Sequence, residues 1–222
     1  MKNSKSKRTI IFGDAHGCID QIHALMDAVG VALDDDVYSL GDFVDRGPDS
    51  PGCYEFVRKR KSIKGNHEHK HVRFKDGVLK QLSPSQIGAR AQFLQKGGQA
   101  YYDEAVEFMR TLPFYVELPE AILVHAGLEY GIPMEDQHPI VLCGGMSMGH
   151  ITGVDPRTGM PYWCARYPKH AKPVVWGHLS VGDQLPMNGN LFPIDTGCYA
   201  GNTLTALVLP EFKIYQVPGY QR

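Results

Sequence analysis

Residues 9–17 read TIIFGDAHG, and the same figure returns at 36–47 as DVYSLGDFVDRG and at 62–68 as SIKGNHE. Each stretch opens on a short apolar or β-branched run and closes on glycine followed by a carboxylate or an amide. A short apolar run ended by glycine reads as a buried strand, so the polar residues stand at strand ends. Between the first two stretches, CIDQIHALMDAVG sets Ile19, Ile22, Leu25, Met26 and Val29 at helical spacing, with Gly30 as the stop. Between the second and third, Asp49 caps a helix running to about Arg60, with Pro51 tolerated in its first turn. The order β-α-β-α-β is that of parallel strands joined by crossover helices.

Working outward, residues 66–112 are helical in pattern, with a Ser-Pro start at SPSQIGARAQFLQK and an amphipathic segment at QAYYDEAVEFMRTL that Pro113 ends. Six further runs read as strands: FYVEL, AILVHAG, VVWGH, LFPID, LTALVL and KIYQV. Residues 129–173 are rich in Gly, Pro, Met and His without a clear period. They read as an irregular insertion or substrate loop. The expected fold is α/β, with two mixed sheets packed together and helices on the outer faces, in one domain over residues 9–222 behind a flexible tail of residues 1–8.

Composition narrows the class. A formal net charge of -1 on 222 residues gives no bulk attraction toward nucleic acid or anionic membrane. No apolar run approaches the roughly 18 residues of a spanning helix, and the opening MKNSKSKR lacks the apolar core of a secretory signal. The five cysteines are odd in number, widely spaced and without a CxxC pair, which fits reduced thiols and a cytoplasmic protein.

The three blocks carry the chemistry. In open α/β sheets ligands gather at the carboxyl ends of the strands, so the blocks are expected to converge in space. Carboxylates, imidazoles and an amide oxygen are hard or borderline donors that suit Mn, Fe or Zn. Two cations about 3.5–4 Å apart need a shared anion to reduce their repulsion. His125 and His178 each end a later strand-like run and can reach the same edge.

GDAHG, GDFVDRG and GNHE resemble the calcineurin-like metallophosphoesterases. Within them the match is to the phosphoprotein phosphatase branch, which includes protein serine/threonine phosphatases and the symmetrical and asymmetrical dinucleoside tetraphosphatases. The later HAG, WGH and IDTGCYAG resemble its bacterial members, and the likeness spans about residues 9–210. The resemblance implies a four-layer αββα sandwich with a dinuclear metal site, Mn being the expected metal and Fe or Zn the alternatives. It implies that Asp14, His16 and Asp42 bind one metal, that Asp42 bridges, and that Asn66, His125 and His178 bind the other. His67 would be the general acid, oriented by Asp45, and Arg46 would clamp the phosphate, with Asn66 also near the substrate. The metals would lower the pKa of a shared water and supply hydroxide for direct, in-line attack. One departure stands out: Lys64 takes a place where many relatives have arginine, losing the planar fork. Arg166 is the candidate for the second phosphate-binding arginine that the resemblance implies.

The expected function is a metal-dependent phosphatase, with a phosphorylated protein or a nucleotide as substrate partner. The reading leans to phosphomonoesters, including phosphoserine and phosphothreonine proteins. The alternative is dinucleoside (diadenosine) tetraphosphate hydrolysis. A non-catalytic binding module would be marked by a missing ligand or acid, and none is missing. His69 and His71 read as exposed helical residues. His138, His150 and His170 read as loop residues, Tyr101 and Tyr102 as core or interface, Glu68 as stabilising its turn, and Asp195 as a turn or as a support for a ligand histidine.

Overall fold

Strand β1 (Thr9–Phe12) alternates its side chains between two cores: Ile10 and Phe12 lie beneath helices, and Ile11 faces a second sheet. The computed structural model describes residues 7–145, 149–183, 185 and 189–221. On one side β1 pairs in parallel with β2 (Asp36–Ser39), which pairs in parallel with β3 (Lys61–Ser62). These are the three strands expected from the sequence, each ending before its glycine. On the other side, antiparallel β8 (Thr203–Leu209) and β9 (Lys213–Pro218) complete the order β3-β2-β1-β8-β9. The second sheet has the order β4 (Tyr115–Glu117), β5 (Ile122–Val124), β6 (Val174–Trp176), β7 (Leu191–Pro193), antiparallel at its first pair and parallel thereafter.

The period-2 alternation of the strands partitions the apolar residues into three cores. The first lies between the five-stranded sheet and α1 (Ile19–Val29), α2 (Ser50–Val57) and α4 (Pro84–Thr111). Gly30 caps α1 in the left-handed region, and the Asp49 side chain accepts from Gly52 N at 2.7 Å, as the sequence predicts. Helix α4 is broken at Gly98, whose φ of 74° divides the two helical patterns seen in the sequence. The second core lies between the sheets, where Ile11, Leu40 and Leu207 meet Leu123, Val175 and Ile194. The third covers the far face of the second sheet, so the layers are α, β, β, α.

That last layer is the fourth one the resemblance implies, but it is built from a segment the sequence reading gives as an irregular insertion or substrate loop. The described residues of 129–173 hold α5 (Pro139–Cys143), α6 (Gly149–Thr152) and two 3₁₀ turns, and their Val141, Leu142, Ile151, Trp163 and Tyr167 are buried on Ile122, Val124, Val174 and Trp176. Each piece is too short to display a period, yet together they close the sandwich. Trp163 meets Trp176 edge to face at 5.7 Å and donates its indole N–H to Ala126 O at 3.1 Å. At the other end, Lys7 pairs with Asp36 at 3.0 Å and Arg8 with Asp35 at 2.6 Å, although the sequence reading gives both to the tail. The remainder of that tail, residues 1–6, lies outside the described residues. Among the described residues, no helix is long and apolar enough to cross a membrane.

Because β1, β2 and β3 are parallel, their carboxyl ends share one edge. The His125 ring at the end of β5 donates from Nδ1 to Leu40 O at 2.8 Å, which brings the second sheet to that edge.

Candidate metal centre

The backbone is strained where the strands end. Among the described residues, non-glycine positive φ occurs at His16 (47°), Asp42 (50°), Asp45 (72°), Arg46 (64°), His178 (70°) and, elsewhere, Phe212. Such conformations cost about 1–3 kcal/mol each and persist where surrounding contacts over-determine them. Here the contacts are specific. The Glu68 carboxylate accepts from Asp42 N at 2.8 Å, Phe43 N at 3.0 Å and Gly65 N at 2.9 Å, which fixes the block after β2 against the start of α3 (Asn66–Lys75). Glu68 thus stabilises the turn, as expected. Gly65 must be glycine, since a Cβ there would collide with the Asp42 carboxylate.

Two groupings of ligand atoms result, His16–Asp42–His67 and Asp42–His125–His178, each with all its atoms within 4.8 Å of one another. Asp42 belongs to both. Its Oδ2 lies 3.7 Å from His16 Nε2 and 3.4 Å from His125 Nε2. The first grouping contains His67 where the resemblance places Asp14. The His67 ring is already engaged on both nitrogens, at Asp45 Oδ2 (2.6 Å) and Arg46 Nη2 (3.1 Å), which sets it apart from a free ligand. Asp14 reaches the same place from β1, with its carboxylate oxygens 3.3 and 3.2 Å from His178 N.

Several features fit cations at this place. The inward atom of the Asn66 amide lies 3.1 Å from His125 Nε2, 3.0 Å from His178 Nδ1 and 3.1 Å from Asp42 Oδ2; with Oδ1 in that place, the orientation a cation would select, four lone-pair-bearing atoms face one another. His16 Nδ1 donates to Val44 O at 3.0 Å, as His125 does to Leu40 O, leaving each Nε2 lone pair aimed inward. Backbone carbonyls fix metal-binding histidines in this way. Asp14, Asp42 and Asp195 are all at least nine-tenths buried, and none has a lysine or arginine ion-pair partner among the described residues. Buried carboxylates without such partners call for bound cations.

The protonation pattern reports the same imbalance. Burial pushes His16 down to about 3 and, with His125, pushes His178 down to about 4. Burial would also lower His125, but Asp42 and Asp14 outweigh it and pull it up to about 10, so a proton sits where a cation would. Burial and the neighbouring Asp195 raise Asp14. Asp195 itself accepts from Gly197 N at 3.0 Å, which supports its reading as a turn residue.

Beside the cluster runs a hydrogen-bonded chain, Arg46–His67–Asp45–His71–Tyr102. Asp45 Oδ1 takes His71 Nε2 at 2.8 Å, and His71 Nδ1 meets Tyr102 OH at 2.9 Å. Burial would raise Asp45, but hydrogen bonds from His67 and His71 outweigh it and bring it down to about 2. His71 is fully buried, which corrects its reading as an exposed residue. Its position four residues after His67 on one helix puts both on the same face, and that spacing was the available signal. Tyr102, read as core, closes the chain from α4.

The other predicted residues fall elsewhere. The Lys64 ammonium is taken by Arg110 O at 3.0 Å and lies over the Phe114 ring. Arg166 is exposed and lines a separate cavity of about 190 Å³ with Tyr130, Ile132 and Trp163, none of which belongs to the metal cluster. His138 caps α5 through Ile140 N, and His150 and His170 are exposed.

Residues 7–182 match the family described as calcineurin-like phosphoesterase. The chain belongs to that family. This calcineurin-like phosphoesterase is accordingly a metal-dependent hydrolase of phosphoric esters or anhydrides. It is 30% identical to the asymmetrical bis(5'-nucleosyl)-tetraphosphatase PrpE of Oceanobacillus iheyensis, over 95% of this chain and 92% of that protein. It is 31% identical to the protein of the same name from Bacillus subtilis, over 94% and 93%. A solved structure named as a candidate diadenosine tetraphosphatase superposes with a TM-score of 0.78 at 25% identity, covering 99% of this chain and 96% of that one. A serine/threonine phosphatase from Saccharomyces cerevisiae shares the fold, with a TM-score of 0.67 at 17% identity over 100% and 82%.

Proposed function

We propose that this phosphoesterase cleaves dinucleoside tetraphosphates asymmetrically, giving a nucleoside triphosphate and a nucleoside monophosphate, and that Asp14, His16, Asp42, Asn66, His125 and His178 hold its two metals. The observation that carries the metal assignment is the convergence of Asn66 Oδ1, Asp42 Oδ2, His125 Nε2 and His178 Nδ1 on one point. End-to-end similarity to two enzymes named as asymmetrical tetraphosphatases supports the substrate. It favours the alternative of the sequence reading over the phosphomonoester reading, for which the shared phosphatase fold supplies no substrate argument.

Bound there, divalent cations, Mn by preference, supply Lewis acidity and an activated water at neutral pH. The donor set suits a hard cation, since burial pushes the neighbouring Cys143 thiol up to about 12 and keeps it neutral. Arg46 stands exposed at the edge of the cluster, with its guanidinium available to phosphate oxygens. His67 Nε2, 3.8 Å from Asp42, accepts from Arg46 in this structure; once Arg46 turns to phosphate and the ring is protonated, Nε2 can hand a proton to the leaving oxygen, while ionised Asp45 holds Nδ1 and stabilises the imidazolium. Cytoplasmic action is part of the proposal and is supported by five free cysteines, four of them buried.

The test is product analysis with diadenosine tetraphosphate and Mn. Equal amounts of ATP and AMP are expected. Two ADP per substrate would indicate symmetrical cleavage, and no cleavage alongside release of phosphate from phosphopeptides would return the substrate to the protein class.

A further inference from the structure

A cavity of about 530 Å³ opens beside the cluster, within the roughly 300–1,000 Å³ of small-molecule sites. Asn66 and His178 form its inner end, and Lys70 and Arg73 lie along its wall. Among the described residues its lining includes no carboxylate. Neither Lys70 nor Arg73 has an ion-pair partner among the described residues, although both are half-buried.

The geometry at the inner end is unusual in one respect. With Oδ1 of Asn66 turned toward the metal cluster, its Nδ2 lies 3.1 Å from Lys70 Nζ. Two donors at that distance have nothing to give each other and call for a common acceptor. Asn66, Lys70 and Arg73 are at helical positions i, i+4 and i+7 of α3 and form one row. That row runs about 10 Å along the helix away from the metals. The opposite wall includes Gly144 at a φ of 83°, where a Cβ would stand 2.5 Å from the His178 ring, so a side chain there would press on the cluster.

We propose that this cavity is a second anion subsite, in which the Asn66 amide N–H, Lys70 and Arg73 hold the phosphates beyond the scissile one. It takes the polyphosphate of the leaving nucleoside triphosphate, and so fixes which phosphorus stands over the metals. The placement rests on the tetraphosphatase reading, while the subsite itself rests on the donors. Charged hydrogen bonds to phosphate are the strong kind, and losing one is expected to weaken binding about tenfold, which is about 1.4 kcal/mol.

The experiment compares the Mn-loaded protein with Lys70→Gln and Arg73→Gln, both helix-compatible changes at half-buried positions. Binding of hydrolysis-resistant imidotriphosphate is measured by calorimetry, and that of orthophosphate by competition against 4-nitrophenyl phosphate. The expected result is a dissociation constant for imidotriphosphate raised about tenfold in each variant, with that for orthophosphate changed less than about twofold. Equal weakening of both anions, or no change in either, would overturn the subsite. Failure of the wild type to cleave dinucleoside tetraphosphate, with the differential intact, would sink the substrate reading and leave the subsite standing.

Discussion

Asp45 serves two histidines at once: Oδ2 holds His67 Nδ1 at 2.6 Å, and Oδ1 holds His71 Nε2 at 2.8 Å. A carboxylate with both oxygens committed has no freedom to turn, and the ring it orients is fixed with it. His71 is in turn held by Tyr102, so α4 participates in aligning a residue of the metal edge.

Replacing His71 by Asn is therefore expected to impair proton donation more than metal binding. Hydrogen bonds to charged groups are worth about 1.5–3 kcal/mol, so turnover of an alkyl phosphate should fall roughly 10–100-fold. Turnover of 4-nitrophenyl phosphate, whose leaving group needs little protonation, should fall much less. Tyr102→Phe should show the same pattern, weakened. Steady-state kinetics on the two esters checks this, and equal losses on both would mean that His71 serves folding alone.

His67→Asn should leave the metal content intact while removing the selectivity for proton-demanding leaving groups. The check pairs elemental analysis with the same two esters. Metal loss in this variant would mean that His67 acts as the ligand its place in the first grouping allows.

Much of this edge is legible in the sequence because its elements are local. A strand, a glycine and a donor sit together at Asp14, Asp42 and Asn66, and crossover spacing predicts that they meet. The spacing of His71 from His67 was legible, but its burial was not, because what covers that face of α3 comes from α4, far along the chain. The fourth layer was implied by the resemblance, but the residues that build it were hidden for a different reason. Val141, Leu142, Ile151, Trp163 and Tyr167 sit on elements of at most five residues or in turns between them, too short for a periodic signal. Arg166 followed from the resemblance, and the exposed position it takes, on a cavity apart from the metals, depends on how that segment folds.

Trp163→Ala tests that layer. The indole is 3% exposed and donates to Ala126 O, next to His125. Loss of such a core aromatic costs about 3–5 kcal/mol. Urea unfolding should show a lower midpoint with an unchanged slope, as expected for packing loss in the native state. An unchanged midpoint would restore residues 129–173 to the status of a detachable loop.

Metal affinity should rise with pH. Without cations, His125 holds its proton up to about pH 10. Its folded pKa exceeds the unfolded value near 6.5, so the stability it lends the metal-free protein is complete below about 6.5 and is lost as pH rises through 10. A cation must displace that proton. Between pH 7 and 9, binding should tighten by up to about one decade per pH unit, with proton release. Calorimetry in buffers of different ionisation enthalpy measures both, and pH-independent binding without proton release would contradict the exchange.

Asp42 alone belongs to both ligand groupings, and the account of this enzyme turns on that shared carboxylate. Anomalous diffraction from Mn-loaded crystals of the wild type and of Asp42→Asn tests it most directly. The wild type should show two peaks about 3.5–4 Å apart flanking Asp42, and the variant should lose or scramble both. A single peak in the wild type, or two full peaks persisting in the variant, would contradict a pair of metals held over this residue.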